Sequence, residues 1–303
     1  MNNKIARFLK EPKRYISKII YKYFSWLLSD KQYLKAQFLY KFGYPLDLES
    51  PKTFCEKVQW LKLYDRNPKY TTMVDKYEVK KYVAEIIGEE YIIPTIEEYD
   101  TVEEIEWDKL PNQFVLKCTH DSGGIVVCKD KSKLDIDKAK DKLRKGLAKS
   151  YYYENREWPY KDCKHKLICE KYMVDESGYE LKDYKWFCFD GEPKALFIAT
   201  DRGNPNEDTK FDFFDADFNH LPIKNGHPNA TKAIAKPAGF EKMKELAAIL
   251  SKGMPQLRVD FYDINGKIYF GELTFFHWSG LMPFQPEEWD EKFGSWIKLP
   301  IDK

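Results

Sequence analysis

Hydrophobic residues recur every three or four positions through the first quarter of the chain, which is the spacing of an amphipathic helix. The pattern predicts helices over residues 31–72, broken at Gly43-Tyr44-Pro45 and at Asn67-Pro68, and another helix over 75–87. Ser50-Pro51 predicts a helix start, with a serine cap and a proline in the first turn. From about residue 91 the apolar runs become short, which is typical of β-strands.

Short apolar runs predict the strands, and polar stretches with a helical period predict two more helices. Strands are expected at 91–94, 113–118, 125–129, 166–170, 184–190, 195–200 and 211–214, helices at 135–150 and 240–252, and a final hairpin at 257–275. The chain is therefore predicted to be α+β, with a helical N-terminal region at 1–72 and a second domain, of mixed helices and strands, at 73–303.

The final hairpin carries polar side chains at alternate positions of both strands. Arg258 and Asp260 alternate with apolar residues in the first strand, and Glu272 and Thr274 do so in the second. Each strand should therefore have one dry face and one polar face. Oxygen donors from Asp, Glu and Thr suit Mg²⁺, which would also relieve the repulsion between two carboxylates. A surface hairpin with solvated charges would show the same alternation, so the motif alone leaves both interpretations open.

The alternation also predicts how the two strands pair. A two-residue loop at Asn265-Gly266 would pair Asp260 with Gly271 and put Asp260 and Glu272 on opposite faces. A three-residue loop with a left-handed glycine shifts the register by one, so that Arg258 faces Glu272 and Asp260 lies diagonal to it. We expect the second register, because it keeps the apolar residues on one face.

A second segment points to phosphate binding. Lys117 lies in an apolar strand, where a buried cation needs an anionic partner. The strand leads into Ser122-Gly123-Gly124 and then into a second apolar run. Backbone N–H groups of such a glycine loop could cover phosphates, although a plain hairpin turn has the same composition.

Composition and charge exclude several classes of protein. The 303 residues include 50 basic and 49 acidic ones, so no net field attracts nucleic acid, and 43% hydrophobic residues argue against disorder. No apolar run approaches the ~18 residues of a membrane-spanning helix. Six scattered cysteines without a C-x-x-C pair, and no signal segment, predict reduced thiols and a cytoplasmic location.

The N-terminal 30 residues differ from the rest in charge. They hold seven basic and two acidic groups, a local charge of +5. They also carry an apolar helical stripe, which consists of Ile16, Ile19, Ile20, Tyr23, Phe24, Leu27 and Leu28. Such a helix either packs on the body of the protein or lies on an anionic membrane surface. The sequence leaves both possibilities open.

Together with three further motifs, the hairpin and the glycine loop make the chain resemble the ATP-grasp superfamily, and more narrowly its TupA-like branch, which is found with bacterial surface-polysaccharide genes. The resemblance covers residues 74–299. The motifs in chain order are Asp75-Lys76, 114–117 with the glycine loop, 168–173, 182–185, and 258–260 with 272–274. The resemblance implies an ATP-grasp fold, in which two α+β subdomains clamp ATP, with a helical N-terminal extension.

The resemblance also implies how ATP would be bound. Phosphates would be held by two lysines and the glycine loop, namely Lys76, Lys117, Ser122, Gly123 and Gly124. The hinge under adenine would be Glu170, Lys171, Tyr172 and Met173. Asp183 would take the acidic position that binds ribose.

Metal and catalytic roles are implied in the same way. Asp260 and Glu272 would coordinate Mg²⁺, expected as two ions, with Thr274 where most relatives carry Asn. Lys185 would reach phosphate, and Arg258 would steady the transferred phosphoryl group. Arg202 follows a strand and is either a carboxylate or phosphate clamp or a residue of a surface turn.

The reaction implied is ATP-dependent carboxylate–amine ligation. A carboxylate attacks the γ-phosphate of ATP to give an acyl phosphate, and an amine then displaces phosphate to form an amide. The family context suggests a uronic-acid sugar or glycan as the carboxylate and an amino acid or other amine as the nucleophile. Three residues are expected to touch substrate: His120, His277 and Ser279.

Three other functions are compatible with parts of the sequence. Asp215 and Asp217 form a D-x-D motif that a glycosyltransferase could use, although short motifs arise often by chance. An ATP-grasp sugar kinase would share the ATP site, and amine dependence of ADP release would separate it from a ligase. A non-catalytic scaffold is expected to lose its metal carboxylates, and both are present here.

Overall fold

The computed structural model describes residues 11–175, 178, 181–202 and 207–300. The chain divides into two compact units. The first comprises 1–66, 155–157 and 276–303, and the second comprises 67–154 and 158–275. The functional boundary at residue 72 stays a prediction.

Helices and strands alternate irregularly along the described part of the chain. The helices are α1 (Pro12–Tyr23), α2 (Asp30–Phe42), α3 (Phe54–Tyr64), α4 (Lys69–Val74), α5 (Glu78–Ile87), α6 (Ile136–Leu147), α7 (Tyr152–Asn155), α8 (Phe240–Leu250) and α9 (Glu288–Trp296). The strands are β1 (Thr95–Tyr99), β2 (Phe114–Cys118), β3 (Ile125–Cys128), β4 (Leu167–Lys171), β5 (Asp183–Phe189), β6 (Glu192–Thr200), β7 (Lys210–Asp215), β8 (His220–Leu221), β9 (Leu257–Ile264) and β10 (Lys267–Thr274).

The first unit is helical, and capping boxes begin two of its helices. Ser29 and Gln32 cap α2 reciprocally, and Thr53 and Glu56 do the same for α3. Each box satisfies backbone N–H groups that the first helical turn leaves free. The predicted helix start at Ser50-Pro51 is therefore wrong, because the stronger capping signal lies at Thr53.

The second unit contains two antiparallel sheets. Their strand orders are β1-β4-β2-β3 and β10-β9-β5-β6-β7-β8. Helix α6 packs on the smaller sheet around a core that includes Leu116, Leu143 and Leu167. Helix α8 packs on the larger sheet, where the rings of Phe240 and Trp186 lie 5.0 Å apart.

Most predicted strands are confirmed, but the first is misplaced. The 91–94 run follows a short 3₁₀ turn at Glu89–Tyr91, and the strand begins only at Thr95. Strand β1 lies at a sheet edge and is half-exposed, with Glu97 and Glu98 in its centre. Polar residues are tolerated there, so the strand lacks the apolar run that marks its neighbours.

The hairpin has the two-residue loop, so the predicted three-residue loop is wrong. Asn265 and Gly266 are both left-handed, with φ of 55° and 84°, which suits the tight turn that Asn-Gly favours. The extra residue lies in the strand instead: the register shifts between Phe270 and Glu272, leaving Gly271 as a bulge.

The bulge puts the polar residues on one face, as predicted. Beyond it Asp260 pairs with Glu272 and Arg258 with Thr274, instead of Arg258 with Glu272. A Cβ at Gly271 would lie 3.1 Å from the carbonyl oxygen of Asp260. Glycine therefore allows the close backbone approach that the bulge requires.

All six cysteines are free and buried, which confirms the predicted reduced thiols. The thiols are spread through the interior, so each packs as a small apolar side chain.

In the described ranges, no helix is both long and apolar enough to cross a membrane.

A second close approach supports the glycine loop. Gly146 lies in α6, and a Cβ there would be 2.6 Å from Sγ of Cys118 and 3.3 Å from Cα of Gly124. Cys118 ends β2, and Gly124 ends the loop that follows it. Helix α6 therefore supports the loop by direct contact.

We expect Gly146→Ala to destabilise the protein, although alanine is the better helix former. The gain in helix propensity is about 1 kcal/mol, whereas overpacking against a buried thiol costs about 1–3 kcal/mol. Urea unfolding should show a net loss of up to about 2 kcal/mol, and the Cys118→Ala/Gly146→Ala double variant should recover part of it. Lys145→Ala, at an exposed position of the same helix, serves as the control. A Gly146→Ala protein more stable than the wild type would contradict the packing argument.

Candidate active site

A cavity of about 290 Å³ in the second unit is lined by residues from both sheets. It brings together most of the residues expected to bind ATP. Those that line it are Lys76, Lys117, Ser122, Gly123, Gly124, Glu170, Asp183, Lys185, Arg202 and Glu272.

Glu170 is buried between two lysines at one end of this cavity. Its two carboxylate oxygens lie 2.5 Å from Nζ of Lys80 and 2.5 Å from Nζ of Lys117. Burial would raise the pKa of Glu170, but the two ammonium groups outweigh it and hold the pKa below the ordinary value. Burial lowers the pKa of Lys80, which Glu170 opposes. The anionic partner expected for Lys117 is thus present within the protein.

The glycine loop is fixed at its base and exposed at its tip. Oδ2 of Asp121 accepts a hydrogen bond from the N–H of Gly124 at 3.0 Å. Nζ of Lys76 donates to the carbonyl oxygen of Asp121. Gly123 is left-handed, with a φ of 112°, and together with Ser122 it is exposed beside the cavity. The exposed tip can therefore present the backbone N–H groups of Ser122 and Gly123 to an anion.

Three adjacent strands place opposite charges against one another at the other end of the cavity. Strand pairing sets Lys185 beside Asp260 and Asp260 beside Glu272. Lys185 makes an ion pair with Asp260, and its Nζ lies 3.2 Å from Asp183 and 3.9 Å from Glu272. Arg258 donates to both carboxylate oxygens of Asp260, at 2.7 and 2.8 Å.

The two hairpin carboxylates have opposite pKa shifts. Burial raises the pKa of Asp260, although Arg258 and Lys185 oppose it. Burial would also raise the pKa of Glu272, but Lys185 and Arg258 outweigh it, and the pKa lies well below the ordinary value. Close carboxylates commonly differ in this way, because the charge on one disfavours ionisation of the other.

The oxygen donors proposed for Mg²⁺ converge on one point. The Nη2 of Arg258 lies 2.8 Å from Asp260, 2.9 Å from Glu272 and 2.9 Å from the hydroxyl of Thr274. In the described ranges, no cluster of three or more His, Cys, Asp or Glu side chains is arranged to hold a metal ion. Two carboxylates and a hydroxyl nevertheless fit Mg²⁺, which takes its remaining ligands from phosphate and water.

Asp183 is held by two cations. It makes an ion pair with Arg202, and Lys185 lies on its other side. Burial would raise the pKa of Asp183, but Lys185 and Arg202 lower it below the ordinary value. Arg202 lines the cavity while its side chain stays 56% exposed, a position from which it can reach an anion.

Five residues that were not predicted as site residues also line the cavity, namely Cys118, Asp121, Ile125, Tyr262 and Gly271. Tyr262 is the next alternate position after Asp260, so the period-two pattern that identified Asp260 also contained it. Burial raises the pKa of Tyr262 well above its ordinary value. Cys118 is also part of the lining, and burial raises the pKa of its thiol to about 12.

Several predicted residues do not line the cavity. Lys171 ends β4 and donates its N–H to the carbonyl of Pro94 at 3.1 Å, and Tyr172 and Met173 follow it. Their contact with adenine stays a prediction. His120 is fully buried and stacks on His165 with ring centroids 3.6 Å apart.

The ring of His120 is held by contacts within the protein. Burial lowers its pKa, and the neighbouring His165 lowers it further, which favours the neutral ring. One ring nitrogen lies 3.0 Å from the carbonyl oxygen of Lys149. The substrate contact expected of His120 stays a prediction.

His277 and Ser279 belong to the first unit, where both are buried. The hydroxyl of Ser279 lies 2.6 Å from Nζ of Lys62, which also donates to the Ser279 carbonyl at 2.7 Å. Burial lowers the pKa of Lys62 to about 8. The predicted substrate contacts of His277 and Ser279 stay predictions.

The D-x-D motif has a structural explanation. Oδ1 of Asp215 accepts from the N–H groups of Asp217 and Asn219, at 2.9 and 2.8 Å, and Oδ2 accepts from the Asn219 amide at 2.9 Å. The carboxylate thus closes the turn between β7 and β8. Such local hydrogen bonds are the ordinary role of Asp in a turn.

Comparisons with known proteins identify the family. The family model described as TupA-like ATPgrasp matches residues 56–298, well over half of the chain. No curated protein matches the sequence.

Three ligases are among the solved structures to which the chain is similar. For the D-alanine–D-alanine ligase from Helicobacter pylori the identity is 14% and the TM-score 0.42, covering 82% of this chain and 70% of that one. For the D-alanine–D-alanine ligase from Bacillus anthracis complexed with ATP, the identity is 16% and the TM-score 0.38, covering 67% of this chain and 53% of that one. For the ATP-grasp ligase PsnB complexed with its minimal precursor, the identity is 7% and the TM-score 0.42, covering 72% of this chain and 60% of that one.

The matched region is about half the length of the Bacillus anthracis ligase. The family match covers both sheets, the glycine loop and the hairpin with its charged face. It confirms the resemblance seen in the sequence motifs. The chain belongs to the TupA-like ATP-grasp family and has the α+β fold of that superfamily.

Proposed function

We propose that the protein is an ATP-dependent carboxylate–amine ligase that works through an acyl phosphate. One observation carries the proposal: Asp260, Glu272 and Thr274 converge on a single nitrogen of Arg258, next to a cavity lined by lysines and a glycine loop. Carboxylates for a divalent cation, with lysines and N–H groups for phosphates, are the parts that phosphoryl transfer needs.

The residues divide the binding of ATP among them. Lys76, Lys117 and the N–H groups of the glycine loop bind the phosphates, and Asp183 binds the ribose. Glu170 lies at the adenine end with residues 171–173. Asp260, Glu272 and Thr274 would hold two Mg²⁺ ions. When bound, these ions would neutralise the negative charge of the phosphates.

Two covalent steps follow. An oxygen of the acceptor carboxylate attacks the γ-phosphorus, the bond to the β-phosphate oxygen breaks, and ADP leaves. A neutral amine then attacks the acyl carbon, phosphate leaves with the bonding electrons, and the nitrogen loses a proton to give the amide. Lys185 and Arg258 stabilise the charge that develops on the transferred group, and Arg202 helps to orient the acceptor.

The acceptor in this proposal is a uronic-acid sugar or glycan, and the nucleophile is an amino acid or another amine. The support is the chain's place in the TupA-like family, whose members are found with genes for capsule and other surface polysaccharides. A cytoplasmic location, at the inner face of the membrane, belongs to the same proposal because the reaction consumes ATP. A sugar kinase using the same ATP site is the alternative.

Nucleotide binding tests the proposed ATP site. At 100 times its dissociation constant, ATP with Mg²⁺ should stabilise the wild type by about 2.7 kcal/mol, visible as a rise in Tm. Glu272→Gln should show a smaller rise, because one metal ligand is lost. Glu288→Gln, an exposed position on α9, should respond like the wild type. Stabilisation by UDP-sugars alone would overturn the ATP site and favour the D-x-D motif.

A product assay separates a ligase from a kinase. With a uronic acid, free or nucleotide-linked, the enzyme should release ADP from ATP only when an amine is present. Hydroxylamine should trap the acyl phosphate as a hydroxamate. Glu272→Gln should lower the rate by about 10²–10³-fold, the usual loss when one charge-stabilising group is removed. Asp215→Asn should leave the rate unchanged. Sugar-dependent ADP release without an amine and without hydroxamate would establish the kinase instead.

A further inference from the structure

Helix α1 packs against α2 with its polar face. Ser17 is buried there, and Arg14 donates to the backbone carbonyls of Tyr40 and Lys41 at 2.7 and 3.2 Å. The ring of Tyr21 meets that of Tyr33 edge-on, with centroids 5.7 Å apart. The side of α1 that an amphipathic helix normally turns to solvent is therefore the side that is covered.

The apolar side of α1 is exposed as a result. Ile16 and Ile19 are each 47% exposed and Ile20 is 38% exposed. The exposure continues past the helix into the 3₁₀ turn Ser25–Leu27, where Trp26 is 77% exposed. We call this surface the apolar ridge, and its residues are Ile16, Ile19, Ile20, Tyr23, Phe24, Trp26 and Leu27.

The ridge is concentrated in a way that isolated surface hydrophobics are not. Seven of the seventeen exposed large hydrophobic side chains in the described ranges lie between Ile16 and Leu27. Scattered exposed apolar residues are normal, but a contiguous patch marks an interaction surface. Aromatic and long aliphatic side chains together are typical of helices that lie in a membrane interface.

Basic groups flank the ridge. Lys13 and Lys22 lie on either side of it around the helix, whereas Lys18 lies on the packed side, with its ammonium 4.8 Å from the centre of the Tyr40 ring. The hydrogen bond that Lys18 donates to the Tyr40 hydroxyl raises the pKa of Lys18, so the amine stays charged. The one acidic residue near the start of α1, Glu11, is paired with Arg14 at 2.8 Å. Residues 1–10 add three basic residues and no acidic one to the sequence.

This charge decides between two occupants of the ridge. A second copy of the chain, related by a two-fold axis, would bring two basic helices together, and like charges oppose such a contact. In an anionic membrane, the side chains of the ridge can insert among the apolar acyl chains while the lysines contact the negatively charged head groups. We propose that the ridge inserts into the interface of an anionic membrane and holds the protein there peripherally.

The test is vesicle sedimentation with the full-length chain. Vesicles of phosphatidylcholine with about 30% phosphatidylglycerol should bind the wild type, and pure phosphatidylcholine should bind it at least tenfold more weakly. The Ile19→Ser/Trp26→Ser variant should lose at least tenfold in partitioning. Ile249→Ser, at a position 45% exposed in the second unit, is the matched control and should bind like the wild type.

Charge and self-association complete the experiment. Lys13→Gln and Lys22→Gln should each weaken binding to anionic vesicles about fivefold. Equal binding to neutral and anionic vesicles, or unchanged binding by the ridge variant, would overturn the proposal. So would a wild-type dimer in sedimentation velocity that Ile19→Ser abolishes, because a second copy would then cover the ridge. The Tm response to ATP with Mg²⁺ should be the same in all these variants, so a failure here is distinct from a failure of the ligase proposal.

Discussion

The buried carboxylate of Asp260 is the constraint on which the rest of the site depends. An uncompensated charge in the interior costs several kcal/mol, and Lys185 and Arg258, which lie against Asp260, offset part of this cost. These partners come from β5 and β9, so the charges meet only in one strand register. If one strand slipped by one residue against its neighbour, its charged side chains would lie on the opposite face of the sheet from their partners. The pairing of the strands and the construction of the site are therefore one problem with one solution.

The charges in and beside the cavity balance within the protein. At the hairpin, three cations (Lys185, Arg202 and Arg258) face three carboxylates (Asp183, Asp260 and Glu272). Beside the glycine loop, Lys76 and Lys117 lie with the carboxylates of Asp121 and Glu170. A polyphosphate therefore depends for its attraction on the backbone N–H groups of the loop and on a divalent cation that binds with it.

Alternation and chain order were enough to predict the face shared by Arg258, Asp260, Glu272 and Thr274, because burial imposes a period of two. They were not enough to place the bulge, because a glycine at either Gly266 or Gly271 could form it. Only the pairing of the two strands in the folded protein puts the bulge at Gly271. Strand β1 escaped notice because edge strands tolerate charge. For α1, the apolar stripe predicted a helix but not which side of it packs, since that depends on Tyr21 and Arg14 meeting α2.

The thiol of Cys118 has a consequence for redox chemistry. It forms part of the cavity wall, yet burial raises its pKa to about 12. At neutral pH the thiol therefore stays protonated, whereas the thiolate is the form that reacts with peroxides and alkylating agents. Oxidants that inactivate enzymes through an exposed, acidic cysteine therefore have no such target in this wall. The cavity can keep a sulfur atom for its packing without becoming a redox sensor.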